Sequence, residues 1–166
     1  MKFYIYVKKS NKTYSTDFGI PFECIELVRR FFSTIKRVSF PSVVDAIDFF
    51  HRITSLSNAQ TIIRLGTFSY PYAHKYSYYL TPGSILFWKK KLPYFPHGHV
   101  ALIIDSNENE TIVIQQNLNP PIKIYNTKEL FTKMNCVDSK FLGVKTLPSQ
   151  YSNGIKNIEY NIMRLQ

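Results

Sequence analysis

Acyl-transfer chemistry needs an activated nucleophile and a base within reach, and this 166-residue sequence offers two cysteines and four histidines for those roles. A thiol attacks as thiolate. The first turn of a helix favours that anion, because its backbone N–H groups are unpaired and the helix dipole is positive there. Cys24 falls at such a place. It follows the turn-forming run Asp17-Phe18-Gly19-Ile20-Pro21 and opens a segment, Phe22 to about Thr34, in which Cys24, Leu27, Val28 and Phe31 recur at helical spacing. The same N–H groups can point at the oxygen of a tetrahedral intermediate. Taken singly, a cysteine on an apolar helix face is more often ordinary core. Cys136, in Met134-Asn135-Cys136-Val137, has no comparable setting and reads as a spectator thiol.

Of the histidines, His51 lies near the end of a second helical segment and His74 in an aromatic stretch, where each reads as surface or packing. His97 and His99 flank Gly98 just before Val100-Ala101-Leu102-Ile103-Ile104. A residue at the mouth of a buried strand is rigidly held yet reachable, as a general base must be. Alone, His99 is more simply a half-buried polar residue that starts a strand. His97 and His99 are also the one candidate metal pair, and two ligands without a third are weak evidence for zinc. No metal and no other cofactor is expected.

The elements that would carry these residues suggest an α+β fold in one domain, residues 1–166, with helices early and strands late. Lys2 to Lys8 alternates Phe3, Ile5 and Val7 with Lys and Tyr, which is a strand period. A second helix is signalled by Pro41, by Ser42 with Asp45 as a capping box, and by Val43, Ala46, Ile47 and Phe50 on one face. On the first helix, Glu26 is placed to pair with Arg29 or Arg30 on the wetter side. Gly66 to Pro82 has no clear period and reads as an aromatic loop forming a wall or lid. Short strand-like runs follow at 85–88, 100–104, 112–114, 122–125 and 141–144, with a short helix near 128–134. The simplest architecture is a twisted antiparallel sheet or partial barrel packed on the early helices.

Composition narrows the function classes. The net charge of +10 attracts anions in general, but no basic helix, zinc spacing or RNA-binding motif accompanies it, so nucleic-acid binding is not expected as the main function. No apolar run approaches the ~20 residues of a membrane span, and the N-terminal segment lacks a signal-peptide core. A cytoplasmic protein without a membrane partner is expected. Two cysteines are too few for a disulfide scaffold, and free thiols follow. The sequence assigns no oligomeric state.

Three ordered blocks bring the pair together: Phe22-Glu23-Cys24-Ile25-Glu26-Leu27-Val28-Arg29-Arg30-Phe31, Pro82-Gly83-Ser84-Ile85-Leu86-Phe87-Trp88 and Gly98-His99-Val100-Ala101-Leu102-Ile103. With a fourth, Ile114-Gln115-Gln116-Asn117, they resemble the cysteine, histidine-dependent amidohydrolase/peptidase (CHAP) family over residues 17–144. The nearest likeness is to the amidase domain of glutathionylspermidine synthetase/amidase and trypanothione synthetase. The resemblance implies a papain-like arrangement, with Cys24 as nucleophile and His99 as general base. It also places Arg29 at a basic position of the cysteine helix; Glu26 and Arg29 read as a supporting pair near the site or, equally well, as a plain surface salt bridge.

The fourth block departs from the resembled pattern, Glu-Gln-Asn, by carrying Gln115 where an acid would orient the histidine. An amide oxygen can still accept the far imidazole proton, though it supplies no charge. Gln115 is the expected third member. Asn117 is second in line, because it points to the same face of a strand, and is grouped with Arg29 as substrate-binding. The expected reaction is hydrolysis of a small-molecule amide or peptide through a thioester. A glutathionyl–polyamine or related γ-glutamyl-type conjugate is the most concrete substrate. Peptidoglycan stem peptides, or binding with little turnover, are the alternatives.

Overall fold

A computed structural model describes residues 1–8, 23–69, 80–90, 97–132, 135–136 and 139–165. In chain order the elements are β1 (Lys2–Lys8), α1 (Cys24–Lys36), α2 (Ala46–Arg52), β2 (Ser55–Ser57), β3 (Ile62–Arg64), β4 (Gly66–Ser69), β5 (Ile85–Trp88), β6 (His99–Ser106), β7 (Glu110–Ile114), β8 (Ile122–Asn126), α3 (Thr127–Thr132), β9 (Asn135–Cys136), β10 (Ser139–Thr146) and β11 (Glu159–Leu165). The 17–21 turn, His74 and most of the aromatic loop lie outside the described residues. The beginning of that loop is not irregular, since Gly66–Ser69 is strand β4.

The late strands form one antiparallel sheet in the order β4-β10-β5-β6-β7-β8, with β9 paired to β10. Strands β4 and β8 lie at opposite edges, so among the described residues the sheet is open and does not curl into the expected partial barrel. Its central strands read as continuous apolar runs because both faces are covered. On one face Ile85, Phe87, Val100, Leu102 and Ile104 pack with the helical residues Leu27, Val28, Phe31, Phe32, Phe49 and Phe50. On the other, Leu86, Trp88, Ala101, Ile103 and Val113 pack with Leu80, Leu130, Phe141 and Val144.

The apolar stripe of α1 sets how the cysteine meets this sheet. Leu27, Val28, Phe31 and Phe32 are buried and lean on β6, so the helix N-terminus, with Cys24 as its first residue, is brought to the start of that strand. The predicted pairing of Glu26 with Arg30 forms, but its placement on a wetter side is overturned: Glu26 is 2% and Arg30 8% exposed, and the two make a buried ion pair at 2.8 Å. The helix buries more than its apolar stripe because β1 covers this side.

Helix α2 starts later than its sequence signal. The cap is Asp45, whose carboxylate accepts the Asp48 N–H at 2.8 Å, while Ser42 lies three residues upstream, outside any helix or strand. Both positions fit a cap by residue type. Asp45 wins because the buried residues Ala46, Phe49 and Phe50 then face β5. Strand β1 pairs in parallel with β11, joining the two ends of the chain, and the hairpin β2–β3 stands apart from the main sheet.

Candidate active site

The site is built where β7 stops. The last β6–β7 pair is Leu102 with Ile114, and beyond it the chain of β7 turns away at Gln115. On that uncovered side of β6 the Cys24 thiol meets the backbone N–H of Val100, that is, the peptide joining His99 to Val100. On its other sides the entry of β6 is closed in by β5 and α2, and Gly98 gives them room. Its φ of +77° suits glycine, and a Cβ there would lie 2.9 Å from the Trp88 carbonyl oxygen and 3.2 Å from the Ala46 Cβ. The Ala46 N–H donates to the His97 carbonyl at 3.1 Å, tying the start of α2 to the entry of β6. The His97 side chain is exposed while His99 is buried, so the two histidines do not share a site.

His99 is 1% exposed, its ring centroid 5.7 Å from that of Trp88. Its Nε2 lies 3.0 Å from Gln115 Oε1. The Gln115 Nε2 donates to the Pro120 carbonyl at 2.8 Å. A carbonyl can only accept, so this second bond fixes which end of the amide faces the imidazole. The imidazole must then carry its proton on Nε2, which makes Nδ1 the basic nitrogen. Nδ1 is also the ring nitrogen nearer the main chain, and the thiol meets that main chain one residue on, at the Val100 N–H.

The helix start does not make Cys24 a resting thiolate. Burial pushes the half-buried thiol up to about 11, with the Glu23 charge adding to the rise, against the opposing pull of the Val100, Ile25 and Cys24 N–H groups. The expectation of a lowered thiol is corrected on this point: loss of water outweighs the first-turn N–H groups. Burial also pushes His99 down to about 4, a fall that the Gln115 bond partly offsets. At pH 7 thiol and imidazole are both neutral.

Gln116 is the residue that sequence reasoning missed. It is 1% exposed and points away from His99, toward α1. Its Oε1 accepts from the Tyr6 N–H at 2.8 Å and from Arg30 Nη2 at 3.0 Å, and its Nε2 donates to the Glu23 carbonyl at 2.9 Å. Glu23 is the N-cap residue of α1 and makes no side-chain cap of its own. Two adjacent glutamines therefore hold the two candidate groups, Gln115 the histidine and Gln116 the residue before the cysteine. Arg30 completes the support by stacking its guanidinium on Tyr6 at 4.2 Å and Phe3 at 4.6 Å. Burial raises the Glu26 carboxyl above its ordinary range, the Arg30 charge opposing. The i,i+4 spacing of Glu26 and Arg30 was a usable signal, whereas Gln116 was marked only by its place in the Ile114-Gln115-Gln116-Asn117 block, which gave it no role.

Arg29 turns elsewhere. Its guanidinium donates to Phe40 O at 2.6 Å and to Ser39 Oγ at 3.3 Å, and lies 4.0 Å over the Phe40 ring, fastening the chain between α1 and α2. Its pairing with Glu26 is corrected, because Arg30 holds that carboxylate, its Nε–H shared between the two oxygens at 2.8 and 3.0 Å. Asn117 does not reach His99 either. The strand ends at Ile114, Asn117 adopts a left-handed φ of 63°, and its exposed side chain lines a cavity between β1 and the 115–121 loop. The expected strand alternation fails there because the chain is no longer a strand. No protein-family model matches the chain, and no curated protein matches it.

Proposed function

We propose that this protein is a cysteine-dependent amidohydrolase working through a Cys24–His99 pair, with Gln115 as an uncharged orienting partner. The observation that carries the reading is the Pro120–Gln115–His99 chain of bonds, which presets a neutral imidazole with Nδ1 as base. The likeness to CHAP amidases and the papain-like arrangement belong to this proposal.

In the reaction, Nδ1 takes the Cys24 proton as sulfur forms its bond to the amide carbonyl carbon. The N–H groups that pull on the sulfur supply positive potential for the oxyanion. Collapse breaks the C–N bond while Nδ1 gives its proton to the departing amine, leaving a thioester. Water, deprotonated by Nδ1, then adds to the thioester carbonyl, and the carboxylic acid is released as the proton returns to sulfur. Because thiol and imidazole start neutral, proton transfer accompanies attack, and the reactive neutral pair is fully present between the two pKa values, so the rate stays level between about pH 6 and pH 9. The chemistry requires a reduced thiol, as a cytoplasmic setting provides. Among the described residues no helix is long and apolar enough to cross a membrane.

The raised thiol favours one second reading, a binding module of low turnover. Hydrolysis of acyl-peptide amides and of glutathionylspermidine between pH 7 and 9 separates the two. Amine release that falls at least about a thousandfold in both Cys24→Ala and His99→Ala supports the hydrolase. Full activity in either variant sinks the pair.

A further inference from the structure

The cavity beside the site measures about 200 Å3 and is lined by Tyr6, Val7, Gln115, Gln116, Asn117 and Asn119, with apolar neighbours from the same loop. It shares its two glutamines with the groups that hold His99 and the start of α1. None of its lining residues carries a charge.

One wall is an edge of β1 that pairs with no strand among the described residues. The Met1 carbonyl accepts from the Glu159 N–H, within a register that pairs Lys2 with Glu159. Odd-numbered residues of β1 therefore bond to β11, and even-numbered ones present N–H and C=O to the other edge. There the Tyr6 N–H meets Gln116 Oε1 at 2.8 Å, so the Tyr6 carbonyl faces the cavity side. The opposite wall carries the exposed Asn117 and Asn119, whose carboxamides make no hydrogen bond among the described residues. The left-handed turn at Asn117 sets these groups across from the strand edge. Donors and acceptors so arranged match a main chain, and pairing to an exposed strand edge is a general mode of peptide capture. A cavity of roughly 150 Å3 holds benzene, so this one takes one or two small residues.

We propose that this cavity is the subsite for an uncharged, extended peptide segment of the substrate, held at the β1 edge by Tyr6 and across from it by Asn117 and Asn119. That the bound segment belongs to a substrate rests on the hydrolase reading. An ammonium group finds no carboxylate in the lining, and a +10 protein repels polycations at long range. The subsite thus selects peptide amides over polyamine conjugates.

The test uses the full chain carrying Cys24→Ala, labelled with 15N and titrated with N-acetyl-trialanine amide or with N1-acetylspermidine. Saturable shifts at Tyr6, Val7, Asn117, Leu118 and Asn119 are expected for the peptide and not for the polyamine. Adding Asn117→Gly, which keeps the left-handed turn, together with Asn119→Ala weakens peptide binding about tenfold. Peptide shifts confined to other residues, or polyamine shifts at these ones, overturn the proposal. Saturation here without hydrolysis by the unmutated chain keeps the subsite and removes the hydrolase reading. Hydrolysis without these shifts does the reverse.

Discussion

Acidification from pH 7 to pH 4 destabilises this protein through His99, by an amount that follows from where the ring sits. The imidazole is 1% exposed against Trp88, and burial pushes it from 6.5 down to about 4. The unfolded chain keeps the ordinary value. Between the two pKa values the unfolded state binds one proton that the folded state refuses. Stability from this group is therefore complete above pH 6.5 and drains away as pH falls toward 4, at about 1.4 kcal/mol per pH unit or about 3 kcal/mol in all. For a domain whose whole stability is ~5–15 kcal/mol, that is a large fraction. Glu26, raised by burial, titrates in acid with the opposite sign, so the comparison must be with a variant that differs only at the imidazole. His99→Gln serves, since an amide can still meet Gln115. Urea unfolding of both proteins at unit steps from pH 7 to pH 4 gives two curves whose separation changes by about 3 kcal/mol, to the detriment of the wild type in acid. Parallel curves would refute the assignment of a buried, neutral His99.

Three further outcomes follow from the same contacts. Gln115→Glu keeps an acceptor for His99 but turns an oxygen toward the Pro120 carbonyl; the His99 pKa, read by NMR titration, rises by about 1–3 units while stability falls by about 1–3 kcal/mol, and an unmoved pKa contradicts the bonding assigned here. Gln116→Leu strips partners from Tyr6, Arg30 and Glu23 together, costing about 3–5 kcal/mol in chemical denaturation; a loss under 1 kcal/mol would deny it a supporting role. Gly98→Ala forces a side chain into a left-handed residue and against the Trp88 carbonyl, lowering stability by about 2 kcal/mol or more, so an unchanged melting temperature would argue against that backbone.

Much of this arrangement was legible in local pattern. The alternation of Phe3 and Ile5, the helical spacing from Cys24 to Phe31 and the apolar runs at 85–88 and 100–104 each mark an element whose period survives tertiary packing. Other parts were hidden by length or distance. Strands β2 and β3 have three residues each, too few for a period. The segment Glu159–Leu165 has no clean alternation, and its partner β1 lies at the opposite end of the chain. Placing charges on the wet side of a helix failed for Glu26 and Arg30 because each neutralises the other. The third member at Gln115 could be argued from hydrogen-bonding capacity, but its lock on Pro120 depends on a loop that returns. The role of Gln116 was invisible for the same reason, since its partners Tyr6, Glu23 and Arg30 are 86 or more residues away in sequence.

The central claim, that Cys24 becomes acylated with His99 as its base, is tested most directly by intact-mass and peptide mapping after acid quenching of the protein with N-acetyl-trialanine p-nitroanilide at pH 8. The account predicts an N-acetyl-trialanyl thioester on Cys24, absent in Cys24→Ala and lost with His99→Ala. Release of p-nitroaniline with no acyl group on Cys24, or an undiminished adduct in His99→Ala, would contradict it.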